Sequence, residues 1–254
     1  MILLLSPAKT LDYESKVPVE KSTSLLFKDE VSKLAGVLKK KSKKEIGELM
    51  SLSEKLADLN FQRYQEFKLP EKGDDSRQAL FAFKGDVYQG LDAYTLSSEA
   101  ISYSEDHLRI LSGLYGVLRP LDSMQPYRLE MGTSLQVKQS DNLYEFWKSK
   151  LTAYLNEELK NEGSGIVLNL ASNEYFGAID SNKLDARVVE PTFKDYKNGK
   201  LKTISFFLKK ARGYMARYVL ENQISNPEDL RGFNTEGYSW SEELSSENKP
   251  VFIR

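Results

Sequence analysis

Apolar residues open the chain as an unbroken run, Met1 to Leu5, that stops abruptly at Ser6 and Pro7. A run of that length closed by a turn signal predicts a strand buried on both faces. Residues 25–44 carry Leu26, Val31, Leu34 and Leu38 at mixed three- and four-residue spacing, which predicts a helix ending in a solvated lysine run. The helical period continues over 46–67, where Leu49, Leu52, Leu56 and Leu59 form a stripe that reads as core-facing. Residues 71–76 read as a polar loop, and an apolar stretch over 78–83 runs into Lys84-Gly85-Asp86-Val87-Tyr88.

Further along, 102–111 reads as a helix opened by Ser104 with Asp106 in its first turn. Residues 142–159 form an amphipathic helix whose inward face is Leu143, Phe146, Trp147, Leu151, Tyr154 and Leu155, closed by Gly163 and Gly165. The apolar run from Ile166 to Leu170 predicts a buried central strand. Asn198-Gly199 between two strand-like runs predicts a hairpin. Helical period returns over 208–220, and an acidic tail rich in serine and asparagine follows Glu221. Strands and helices interleave without a repeat or a flexible linker. The pattern predicts one α/β domain over residues 1–254, with a mixed β-sheet and surrounding helices; two subdomains facing across a cleft also fit.

Composition narrows the chemistry. The 254 residues include 36 Lys and Arg against 37 Asp and Glu, so any attraction to a polyanion must be local. No cysteine is present, which excludes disulfides, thiolate nucleophiles and cysteine-bound metal. His107 is the single histidine, so multi-histidine metal sites are excluded too and no tightly bound metal or cofactor is expected. The opening apolar run lacks the basic flank and length of a signal peptide, and no run is long enough for a membrane span; a cytoplasmic location and no membrane partner are expected.

The stretch 108–132, LRILSGLYGVLRPLDSMQPYRLEMG, asks most for explanation. Gly113 and Gly116 permit positive φ and expose backbone N–H groups, the physics by which a helix-hairpin-helix cradles a phosphate, with Arg109 and Arg119 alongside. A helix C-cap followed by a tight turn accounts for the same glycines. From Lys197 to Leu220 the only charged residues are basic: Lys197, Lys200, Lys202, Lys209, Lys210, Arg212 and Arg217. Lys209, Lys210, Arg212 and Arg217 fall off the apolar face of their helix, as on a polyanion-facing surface or an ordinary solvated one. Ser6, Lys9 and Thr10 follow the first strand, and Asn169, Ser172, Asn173 and Glu174 follow the central one. Polar residues in such places line clefts or simply make turns.

The motifs SPAKTLDY, FKGDVYQGL, HLRILSGLYGVLRPLDSMQPYRLEMG, NLASNEYF, KKARGYMARYV and GFNTEGY occur in the order seen in the YaaA family of bacterial peroxide-stress proteins, which the chain resembles over essentially its whole length. The resemblance implies a cytosolic protein that limits iron-dependent oxidative damage. It also implies an α/β fold in which a helix-hairpin-helix-like element lines a basic, DNA-binding cleft. Matched residue by residue, the candidate DNA-binding residues are Lys9, Lys84, Arg109, Gly113, Gly116, Arg119, Arg128, Lys209, Lys210, Arg212 and Arg217, with Asp86 beside them. The leading expectation is sequence-independent binding of duplex or distorted DNA, with Tyr88, Tyr115 or Tyr127 free to stack on an unpaired base. The alternatives are an enzyme acting on a nucleobase or small phosphorylated ligand, with Lys9 or Lys84 as nucleophile and Asp86 or Asp122 transferring protons, and an interaction protein docking through its acidic tail.

Overall fold

The buried run at the start of the chain becomes the middle strand of the main sheet. In the computed structural model, which describes residues 1–69 and 75–254, strand β1 (Ile2–Leu5) is buried throughout. Then come β2 (Thr10–Leu11), α1 (Lys28–Lys39), α2 (Lys43–Leu49), α3 (Glu54–Glu66), β3 (Arg77–Gln78), α4 (Ala79–Ala82), β4 (Phe83–Lys84) and α5 (Asp86–Leu91). The middle of the chain gives α6 (Ser98–His107), β5 (Leu108–Ser112), β6 (Gly116–Leu118), β7 (Ser123–Met124), α7 (Leu143–Glu162), β8 (Ile166–Asn169) and α8 (Asn173–Phe176). The last third gives β9 (Arg187–Val189), β10 (Thr192–Lys197), β11 (Lys200–Lys202), α9 (Ser205–Glu221), β12 (Ser239–Trp240) and β13 (Val251–Ile253).

The main sheet has the order β6-β5-β1-β8-β9, parallel except for the antiparallel edge strand β6. A second sheet, β11-β10-β13-β12, is mixed, with β10 parallel to β13. Two short antiparallel ladders join β2 to β4 and β3 to β7. Side chains from both sheets and their helices merge into one hydrophobic cluster, giving a single α/β domain with mixed sheets and surrounding helices.

Several elements match their sequence signals. Asn142 caps α7 by accepting from the Glu145 N–H at 3.0 Å, and Gly163, at φ 87°, ends it in the left-handed region. Asn198 and Gly199, at φ 54° and 72°, make the β10–β11 turn with the two positive φ values that a type I′ hairpin requires.

Elsewhere the structure corrects the expectation. The helical period over 46–67 is broken by a turn, with Ser51 at φ 50° and Ser53 preceding α3. The turn resets the register, so α3 buries Ala57, Asn60 and Tyr64 and leaves Leu56 and Leu59 37% and 44% exposed. The expected leucine stripe is therefore split: Leu49 and Leu52 pack partly buried against the core, and Leu56 and Leu59 do not. The helix expected over 102–111 is α6, capped by Ser97 rather than Ser104, and it stops at His107. Leu108 to Ser112 is instead a strand paired with β1, and because all five residues are buried it shows no alternation to separate it from a helix. The tail is folded: Leu230, Phe233 and Tyr238 within it are buried, and Val251 and Phe252 of β13 are core residues. Most of the loop expected over 71–76 lies outside the described residues.

The largest correction concerns Gly113 and Gly116. Their segment is a β-hairpin, β5–turn–β6, and not a helix-hairpin-helix. A Cβ on Gly113 would stand 2.3 Å from the Leu129 carbonyl oxygen. Gly116 sits at φ 73° with its Cα face against the Trp147 ring, where a Cβ would come within 2.6 Å, and Trp147 donates to the Gly113 carbonyl at 2.9 Å. Internal packing accounts for both glycines. Gly116→Ala adds a positive-φ penalty to an aromatic overlap and is expected to cost about 3 kcal/mol; urea unfolding of the variant measures it, and an unchanged midpoint would refute this packing account.

Candidate functional site

In a parallel sheet the strand ends point the same way, and the loops leaving them can part to form a crevice. Here β1 ends at Leu5 and β8 at Asn169, and the two departing loops are tied together: the Ser172 N–H donates to Ser6 Oγ at 2.8 Å. The Tyr88 hydroxyl donates to the Ser6 carbonyl at 3.0 Å, bringing α5 to the same place. The β2–β4 ladder pairs Thr10 with Lys84, which sets the first and second motifs of the sequence side by side. Helix α9 completes the wall because it packs on α5 glycine to glycine. A Cβ on Gly213 would fall 1.9 Å from the Val87 carbonyl oxygen, and one on Gly90 would fall 2.3 Å from that of Lys210.

These segments enclose a cleft of about 360 Å³. Lys9, Lys84, Arg128, Lys209 and Arg212 line it, together with the carboxylates Asp86, Glu130 and Glu174. Most of the cations already have partners. Lys9 pairs with Glu130 at 2.7 Å, Arg128 with Glu130 at 3.3 Å, and Lys84 with Asp12 at 3.6 Å. Arg212 and Lys209 make no hydrogen bond or ion pair with any described residue. The Nε–H groups of Arg128 and Arg212 are both buried and both lack an acceptor. Burial pushes the Arg212 guanidinium below the usual arginine range, and Glu190 only partly opposes this. Burial also pushes the phenols of Tyr127 and Tyr175, which line the cleft, well up, so both stay protonated.

The other expected binding residues stand elsewhere, each with a structural partner. Arg109 is 4% exposed and donates to Tyr154, Glu158 and the carbonyls of Glu105 and Leu108, so its head group is buried and committed within the fold. Arg119 is clamped on Asp122 and on the Ser24 carbonyl. Asp122 is fully buried between Arg119 and Thr23, which removes it as a proton-transfer group. Arg217 closes the end of α5, donating to the carbonyls of Leu91, Asp92 and Thr95. Lys210 lies over the Phe206 ring, outside the cleft lining. Tyr88 and Tyr115 are buried and hydrogen-bonded, so neither is free to stack on a base. Lys9 and Lys84 are ion-paired with side chains about 60% exposed, without the desolvation that makes a lysine nucleophilic. Glu130, which bridges Lys9 and Arg128, went unnoticed in the sequence; its signal was the Arg-Leu-Glu alternation, which puts 128 and 130 on one side of an extended chain.

The sequence profile described as peroxide stress protein YaaA matches residues 1–244. The chain is similar over its whole length to proteins named UPF0246 protein: 52% identical to that of Hahella chejuensis, of which 99% is covered, and 50% identical to that of Alteromonas mediterranea, of which 98% is covered. The corresponding protein of Bordetella pertussis is 53% identical, again with all of this chain and 99% of the relative covered.

Two outcomes follow from the electrostatics. A half-buried guanidinium with a sealed, unpaired Nε–H is destabilising, so Arg212→Met is expected to raise the stability of the free protein by about 1 kcal/mol, measured by urea unfolding; a loss of stability would mean that Arg212 is paired in solution. Asp12 accepts from the backbone of Ser15 and Glu14 and from the Ser15 hydroxyl, and these bonds, the Ser15 N–H foremost, outweigh burial and hold its carboxyl at about 2. A depressed folded-state pKa stabilises above the unfolded value and is lost as pH falls through the folded one. Asp12→Asn should therefore be less stable than the parent at pH 7, with the gap closing between pH 4 and pH 2.

Proposed function

This chain belongs to the YaaA family of peroxide stress proteins, and we propose that it binds nucleic acid, chiefly the phosphate backbone of duplex or distorted DNA, within the peroxide stress response. One observation supports the reading above others. Lys9, Lys84, Arg128, Lys209 and Arg212 come from segments far apart in the chain and line one cleft, and two of them hold buried N–H groups with no acceptor. Lysine and arginine contacts to phosphate give affinity without reading bases, so binding is sequence-independent and salt-sensitive. The exposed lysines of the β10–β11 hairpin, Lys197, Lys200 and Lys202, lead directly into α9 and add to the cationic surface. In this reading the protein limits iron-dependent damage at the DNA it covers and not by storing iron. Among the described residues no three His, Cys, Asp or Glu side chains gather into a metal-holding group.

Fluorescence anisotropy with a labelled duplex tests the reading. Log affinity should fall linearly with log salt, with a slope of about −0.9 per phosphate neutralised, and scrambling the sequence should change it little. Lys84→Gln and Lys209→Gln should each weaken binding and flatten the slope by about one unit. A salt-independent affinity, or slopes unchanged in both variants, would reject the cleft as the DNA contact.

A further inference from the structure

A duplex can lay its backbone only across the mouth of a space of about 360 Å³, whereas one nucleotide fits inside it. The inner surface of the cleft is furnished for one. Arg128 keeps only its head group on Glu130, so its buried Nε–H is left over, and Arg212 has every donor left over. Lys209 stands one turn before Arg212 on α9, on the same side, and also lines the cleft without a partner. Buried polar groups in folded proteins almost always have an acceptor. Arg128 and Arg212, each with an unpaired Nε–H and both lining one cavity, therefore mark a place where an anion with several oxygens belongs. Beyond the cations the lining changes character: the rings of Tyr127 and Tyr175 give it apolar surface, and Asp86 and Glu174 give it hydrogen-bond acceptors.

We propose that the cleft is a pocket for a single nucleotide, its phosphate monoester held by Arg128, Arg212 and Lys209 and its nucleoside set against the tyrosines and carboxylates. This rests on the reading of the same cleft as a phosphate-binding site and goes further by naming the group bound. The same chemistry is offered by a free nucleoside 5′-monophosphate and by the 5′-phosphate end of a nucleic-acid strand. The carboxylates act as acceptors for sugar hydroxyls or base amino groups, which accounts for acidic side chains in a site that binds an anion.

Calorimetric titration of the full chain with deoxynucleoside 5′-monophosphates, the matching nucleosides and inorganic phosphate decides the matter. One monophosphate should bind per chain, at least tenfold more tightly than its nucleoside or phosphate alone. Arg212→Gln and Lys209→Gln should each weaken it tenfold or more; Lys209 is exposed, so that variant keeps its fold and the parent's unfolding midpoint. Oligonucleotides with 5′-phosphate or 5′-hydroxyl ends identify the source: a tenfold preference for the phosphorylated end assigns a strand terminus, and competition by free monophosphates alone assigns a small molecule. Failure of every monophosphate and every 5′-phosphate end to bind at millimolar concentration overturns the proposal, as does equal binding of inorganic phosphate or unaltered binding in both variants. Salt-dependent duplex binding that survives such a failure keeps the backbone reading and rejects only the pocket; nucleotide binding without duplex binding does the reverse.

Discussion

No side chain fits between α5 and α9 where Gly90 meets Gly213, and the site depends on that exclusion. A helix pair that touches backbone to backbone can neither roll nor slide without collision, so the rotation of α9 is fixed against α5. With the rotation fixed, Lys209 and Arg212 face the cleft at the start of α5, and Arg217 reaches its end. Two arginines on one helix thereby acquire opposite roles. Arg217 meets carbonyls left without partners at a helix terminus and becomes part of the scaffold. Arg212 meets none, is half-buried all the same, and keeps donors that no described residue satisfies.

Local signals were legible in the sequence where one kind of interaction decided the outcome. The first strand, the Asn142 cap of α7, the glycine that ends it and the Asn198-Gly199 turn all follow from backbone conformational preference or simple burial. Legibility failed where two effects produce the same pattern. Leu108 to Leu111 is apolar enough for a helix or a strand, and only pairing with β1 settles which. The leucines around the turn at Ser51 keep helical spacing, although a single positive-φ residue rotates the second helix away from the register the spacing implies.

The candidate site shows a related blindness. Charge is visible in a sequence, but partners are not. Arg109, Arg119 and Arg217 looked as available as Arg128 and Arg212, yet Glu158, Asp122 and the backbone around Leu91 satisfy them. The glycines of the central motif likewise looked like a phosphate cradle, and Trp147 and Leu129, both distant from the turn itself in sequence, supply the reason for them instead. What the motifs did carry was proximity: the first five all contribute residues to one cleft, through a two-residue ladder, a serine–serine tie and a glycine contact that no periodicity announces.

The carboxylates in that cleft bear on selectivity. A surface of unopposed lysines attracts any polyanion and holds it in no particular pose. Here Glu130 fixes Lys9 and Arg128, and Asp12 fixes Lys84, so the flexible charges are positioned and partly neutralised. The donors that remain, on Arg212, Lys209 and the Nε of Arg128, are few, and the two guanidinium N–H groups among them are buried and directional. Affinity that depends on a few oriented donors discriminates by the geometry of the anion, whereas affinity from a diffuse field discriminates by charge alone. The near-neutral chain and the unsatisfied donors of this cleft go together: little long-range attraction, and a local demand for an acceptor that no described residue meets.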